Sequence, residues 1–130
     1  MSPQDLARYV AALAYEKKAR DIVVLDVEAL VRYCDSFVLC TASNPRQVRA
    51  IANHLLRELK GFEGLRRGSV EGLNTARWVL VDFGDIVVHV FDEEARVFYD
   101  LDGLWSDAPK VELGDLAALL PDRTPMTQAG

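Results

Sequence analysis

Residues 76–82 and 85–91 are two strand-length runs separated only by Phe83 and Gly84, and little but a β-hairpin accommodates that pattern. With Phe83 and Gly84 as a two-residue turn, Asp82 faces Asp85, Leu80 faces Val87 and Trp78 faces His89. Alternation then puts Val79, Val81, Ile86, Val88 and Val90 on one side, all β-branched and suited to lie beneath helices. The other side holds Trp78, Leu80, Asp82, Asp85, Val87, His89 and Phe91. It is too polar for a dry core and too aromatic for ordinary surface. Aromatic anchors rimmed by charge suit a protein interface. Burial of Trp78 under the tail or under the segment near Trp105 fits the pattern equally well.

The rest of the chain supplies the layers around that hairpin. Ser2 as N-cap, Pro3 in the first turn and Asp5 near the helix N-terminus predict a helix burying Leu6, Tyr9, Val10 and Leu13, with Lys17, Lys18 and Arg20 at its end. Residues 22–27 predict a strand buried on both faces, and residues 36–41 a second strand. Asn44 caps a helix that starts at Pro45, with Gln47 where a capping-box partner belongs and Gly61 as its C′ stop. Val48, Ile51, Ala52, Leu55, Leu56 and Leu59 make its apolar face. Residues 61–72 hold four glycines and predict a loop or short edge strand. A helical pattern runs from an N-cap at Asp92 towards Trp105, with a break near Asp100; residues 113–120 predict one short helix, and the last ten residues disorder.

The order α-β-β-α-β-β-α predicts one α/β (α+β) domain over residues 1–108, a mixed sheet packed by helices, with residues 109–130 as a partly disordered C-terminal extension. The long helix would let the second and third strands run parallel.

A length of 130 residues suits one domain, and 50% hydrophobic residues exclude a disordered chain. The apolar stretches are strand-sized, well below the roughly 20 residues of a membrane helix. The N-terminus lacks a basic region followed by an apolar core, so a cytoplasmic protein with no membrane contact is expected. Net charge is −5, and apart from Lys17, Lys18 and Arg20, and Arg66 with Arg67, the basic residues are scattered. No nucleic-acid specificity is expected from that distribution. Between Asp82 and Asp107 eight acids face only Arg96, which predicts either a solvated face or a basic partner.

Catalytic patterns are few. Cys34 and Cys40 predict reduced, partly buried thiols, and with only His54 and His89 to join them no metal site or cofactor is expected. Asp82, Phe83 and Gly84 spell a kinase tripeptide without the rest of a kinase. Asp26 and Glu28 at a strand end are similar to the paired acids of a magnesium-dependent nucleotidyltransferase, the alternative function. The glycine turn that would cradle a triphosphate ahead of them is missing, and no Ser–His–Asp or Cys–His arrangement is readable. A non-enzymatic protein is expected.

Several segments together resemble a known family: DIVVLDV at 21–27, CDSFVLCT at 34–41, RQV at 46–48, VEG at 70–72, the hairpin at 77–91, FYDL at 98–101 and LWSDA at 104–108. They are similar to the Iojap family, the ribosomal silencing factors or RsfS, over roughly residues 5–110. The resemblance implies a nucleotidyltransferase-like fold without its active site. It also implies binding to the large ribosomal subunit through protein L fourteen, a steric block to the small subunit, and damped translation when nutrients are short. The family's hairpin tryptophan belongs to the L-fourteen contact and maps to Trp78. Leu80, Asp82 and His89 share its expected face, and Tyr99, Asp100, Leu104 and Trp105 complete the candidate site. A homodimer off the ribosome would use the same face. Thr41, Ala42, Ser43, Asn44 and Pro45 depart from the family's Thr-Gly-Thr-Ser but keep the capping chemistry, and the tail from Lys110 lies outside the pattern recognised.

Overall fold

Ser2 holds an extended backbone, and its hydroxyl accepts the Asp5 N–H at 3.1 Å while the Asp5 carboxylate accepts the Ser2 N–H. That reciprocal cap starts α1 (Pro3–Glu16). The computed structural model describes residues 1–123 and continues through β1 (Arg20–Asp26), β2 (Ser36–Ala42), α2 (Pro45–Glu58), β3 (Ser69–Glu71), β4 (Trp78–Asp82) and β5 (Ile86–Asp92). Two short helices follow, α3 (Glu93–Tyr99) and α4 (Leu101–Leu104).

Asn44 caps α2 as its chemistry requires, its side chain accepting the Gln47 N–H at 2.8 Å. Gln47 does not complete the expected box with Asn44. Its carbonyl oxygen accepts the Ser43 N–H, and its amide nitrogen donates to the Lys17 and Lys18 carbonyls, which pins the end of α1 beside the start of α2. Gly61, with φ +71, lies one residue beyond the expected C′ position, since Leu59 is the C-cap.

The five strands form one mixed sheet in the order β1-β2-β5-β4-β3. The parallel neighbour of β2 is β5, not the strand at 76–82, which corrects the expected pairing. The reason is burial. All of β5 except Asp92 is buried, so it suits the sheet centre, whereas β4 alternates between buried and half-buried positions. The crossover through α2 therefore leads to the far edge at β3, and the chain returns inward by two antiparallel steps.

The hairpin turn is Gly84 and Asp85, not Phe83 and Gly84. The Phe83 N–H donates to the Ile86 carbonyl at 2.9 Å, Gly84 takes φ +91, and the Asp82 carboxylate accepts the Gly84 N–H at 2.8 Å. Trp78 consequently pairs with Phe91, Leu80 with His89 and Asp82 with Val87. Phe83 cannot serve as a turn tip because its ring is core, packed over Gly68 near Leu56; exposing it would cost about 1.5–3 kcal/mol. Moving the partner by two residues leaves every side chain on its expected face.

On one face of the sheet, α1 and α2 cover Val24, Val38, Cys40, Val79, Val81, Ile86, Val88 and Val90. Fully buried Ala7, Ala11 and Ala14 let α1 approach closely. The opposite face carries a smaller core of Leu25, Phe37, Leu39, Val87 and Phe91, joined by Ala95, Leu101 and Ala108. Of residues 22–27, expected to be buried on both faces, Val24, Leu25 and Val27 are buried while Ile22, Val23 and Asp26 are half-buried. Its outer edge is paired with the tail, the Asp26 N–H donating to the Pro109 carbonyl and the Val111 N–H to the Val24 carbonyl, each at 2.9 Å. The helix expected over 113–120 shrinks to one 3-10 turn, Ala117–Leu119, although Leu116 enters the main core. Arg123, within the segment expected to be disordered, is held by Glu16 and Glu58; the remainder of that segment, 124–130, lies outside the described residues. Among the described residues no helix is long and apolar enough to cross a membrane.

Candidate protein-docking face

A tight loop delivers Trp78 to the start of β4. The Ala76 N–H bonds the Gly72 carbonyl at 2.9 Å, and Gly72 has φ +93 with the Trp78 carbonyl so close that a Cβ would sit 2.3 Å from it. The half-buried indole then stacks on Phe91 across the strand pair, with centroids 5.2 Å apart and 26° between planes. Tyr99 of α3 closes from the side at 4.5 Å. The indole Nε1–H donates to His89 Nδ1 at 3.2 Å.

His89 is only 6% exposed, which corrects its expected outward position. Burial pushes its pKa down to about 4, so the imidazole is neutral. Because Nδ1 accepts the indole proton, its own proton sits on Nε2, a buried atom with no hydrogen-bond partner among the described residues. The ring meets Phe37 edge-on at 5.1 Å and 80°.

The wall beside Trp78 is built by α3 and α4. Asp92 caps α3 by accepting the Ala95 N–H, and the small Ala95 faces the sheet. Arg96 locks the helix down. It forks onto Asp102 at 2.8 and 2.9 Å, and its remaining nitrogen bonds the Asp21 carbonyl and the Thr41 hydroxyl. That guanidinium holds the Asp102 carboxyl below the usual range. Asp100, left-handed at φ 46, breaks the helix where the sequence suggests, and its carboxylate accepts the Gly103 N–H to start α4. With Ala95 and Arg96 facing inward, Val97 and Phe98 point to solvent, 79% and 78% exposed. They line an open cavity of about 890 Å³ with Trp78, Tyr99, Thr75, Arg77 and Glu94. Charge rims it, Arg77 pairing with Asp92 and Glu94, and Arg20 with Glu93.

The candidate residues divide accordingly. Trp78, His89 and Tyr99 are in mutual or shared contact, Leu80 is the next half-buried residue along β4, and Trp105 lies half-buried against Phe37 at 5.5 Å. Leu104 is exposed on α4. Asp82 stands apart, four residues or roughly 13 Å along the strand from Trp78, where it caps the turn and lies 3.8 Å from Arg66. The Asp100 carboxylate is committed to capping. Trp78 is half covered, by Tyr99 of the helical segment that runs towards Trp105, one of the two covers expected. Val97 and Phe98 were missed, though a signal existed: three large residues in a row at 97–99 cannot all face the sheet from one short helix.

Elsewhere the Asp26 carboxylate accepts the Glu28 N–H at 3.1 Å, acting as a local turn brace. Among the described residues no group of three or more His, Cys, Asp or Glu is placed to hold a metal ion. Burial pushes the free thiols of Cys34 and Cys40 up to about 11 and about 12, so both stay protonated.

The sequence and fold have close counterparts. A family model described as "Ribosomal silencing factor during starvation" matches residues 1–129. The chain belongs to the ribosomal silencing factor (RsfS) family. A ribosomal silencing factor RsfS of Halalkalibacterium halodurans is 41% identical over 113 residues, covering 87% of this chain and 96% of the relative. A crystal structure from Bacillus halodurans superposes with a TM-score of 0.72 at 37% identity, covering 85% of this chain and 99% of that one. One from Chromobacterium violaceum gives 0.75 at 29% identity, covering 96% and 98%. The family match extends past Lys110 to residue 129, so it includes the tail expected to lie outside the family pattern.

Proposed function

We propose that this RsfS-family chain docks on the large ribosomal subunit through the Trp78 face, contacts ribosomal protein L fourteen, and sterically blocks the small subunit. The observation that carries this reading is the pinned indole. Trp78 is half exposed yet held by the His89 hydrogen bond and by Phe91 and Tyr99, beside the exposed pair Val97 and Phe98. An anchor already in one orientation loses little side-chain entropy on binding. Glu93 and Glu94 line the same cavity, where Arg20 and Arg77 pair with them. The acids of residues 82–107 still outnumber the bases there, a balance that steers a basic partner on approach. The factor acts in the cytoplasm by occupying space, with no chemical step. Self-association in the absence of ribosomes would cover the same apolar pair, and light scattering on the isolated protein measures it; a monomer at high concentration removes that part of the reading.

Sedimentation with separated subunits tests the whole. Co-migration with the large subunit alone, and fewer joined ribosomes when the small subunit is added, are expected. Co-migration with neither subunit, or with the small one, contradicts the proposal.

A further inference from the structure

The outward face of α2 carries Arg46, Arg49 and Arg57 with Ala50 and Asn53 between them, and Lys60 follows just beyond the helix. The charged positions and Asn53 are separated by steps of three or four residues, which places them on one side of the helix. The stripe is about 21 Å long. Lys17 and Lys18 extend it, because Gln47 ties their carbonyls beside the start of α2. None of these six cations has an ion-pair partner among the described residues; Arg49 bonds only the neutral carbonyls of Leu73 and Asn74. Glu58, the only acid in α2, and the neighbouring Glu16 are both taken up by Arg123. A chain of net charge −5 thus presents one strongly positive surface.

The composition of the stripe selects the partner. Along α2 it exposes no aromatic or large aliphatic side chain, and among the described residues only Tyr15, beside Lys17 and Lys18 at its end, puts an exposed ring near it. The stripe therefore lacks the central cluster of anchors that a protein interface uses. Three of its cations are arginines, whose planar forks match phosphate oxygens. The apolar side of α2 packs on the sheet face opposite Trp78, so both surfaces are accessible at once.

We infer that the outward face of α2 binds the phosphate backbone of structured RNA, as a contact separate from the Trp78 face. Backbone contacts carry no sequence preference. The inference builds on the ribosome-docking reading, in which such RNA lies nearby, but its first test does not depend on it.

That test is fluorescence anisotropy of a labelled RNA duplex with the full chain, the Arg46→Ala/Arg57→Ala/Lys60→Ala variant and Trp78→Ala. The three substitutions are on exposed positions, and thermal melting checks that the variant folds. Wild type and Trp78→Ala are expected to bind alike. The triple variant should bind on the order of tenfold more weakly, with a log–log salt slope shallower by about 2 to 3. No binding by wild type at low salt, equal binding by the folded triple variant, or full competition by polyglutamate would overturn the assignment to RNA. Sedimentation with large subunits separates the two readings: failure of wild type to co-migrate defeats the docking proposal, while the duplex titration still decides this one.

Discussion

The indole N–H of Trp78 donates to Nδ1 of His89 across 3.2 Å, and the accepting ring is neutral and buried. An imidazolium would turn that acceptor into a donor and release the indole. The pair therefore links the orientation of the half-buried indole to the protonation state of a core residue.

His89 should dominate one segment of the stability profile. The unfolded chain takes up its proton near pH 6.5, whereas the folded ring resists protonation until about 4. Between those values the unfolded state binds more protons, so stability is level above 6.5 and falls as pH drops towards 4, by about 3 kcal/mol if fully lost. Urea unfolding of wild type and His89→Gln across that range measures it. A shallower fall in the variant is expected; identical profiles would mean that His89 is not the group responsible.

Gly72→Ala should be far more harmful than Gly61→Ala. Both glycines have positive φ, but a Cβ at Gly72 meets the Trp78 carbonyl at 2.3 Å while Gly61 has nothing within 4 Å. Strain alone costs about 1 kcal/mol at Gly61. At Gly72 the backbone must also move, for a total of about 2–4 kcal/mol. Thermal unfolding compares the two, and a shift in Trp78 fluorescence is expected only for the Gly72 variant.

Arg96 holds α3 and α4 against the sheet through four hydrogen bonds, and Thr41 beneath it is buried. Arg96→Met leaves the buried Thr41 hydroxyl without its donor and the partly solvated Asp102 carboxylate without its fork, at a cost of about 1–3 kcal/mol. Arg96→Lys should recover less than half, because an ammonium cannot span the fork. Denaturant titration reads both values, and full recovery by lysine would show that charge alone suffices.

The sequence was legible where local chemistry decides. Ser2, Asn44 and Asp92 cap their helices as read, Asp100 breaks the third, and alternation assigned Val79, Val81 and Trp78 to the correct faces. Long-range choices were not legible. Whether β4 or β5 lies beside β2 depends on total burial across a sheet, and the turn slipped by one residue because Phe83 belongs to a core pocket over Gly68. His89 looks polar and outward from its alternation; only the packing of Phe37, Phe91 and Trp78 around it shows otherwise. The α2 stripe was hidden because its cations are spread along the sequence and meet only on the helix surface.

The central claim is that Trp78 anchors the chain to ribosomal protein L fourteen, and calorimetric titration of purified L fourteen with wild type and Trp78→Ala addresses it most directly. Thermal melting should show the variant folded. Its affinity is expected to fall by about 2 kcal/mol or more, roughly thirtyfold. Undiminished binding by folded Trp78→Ala would contradict the claim.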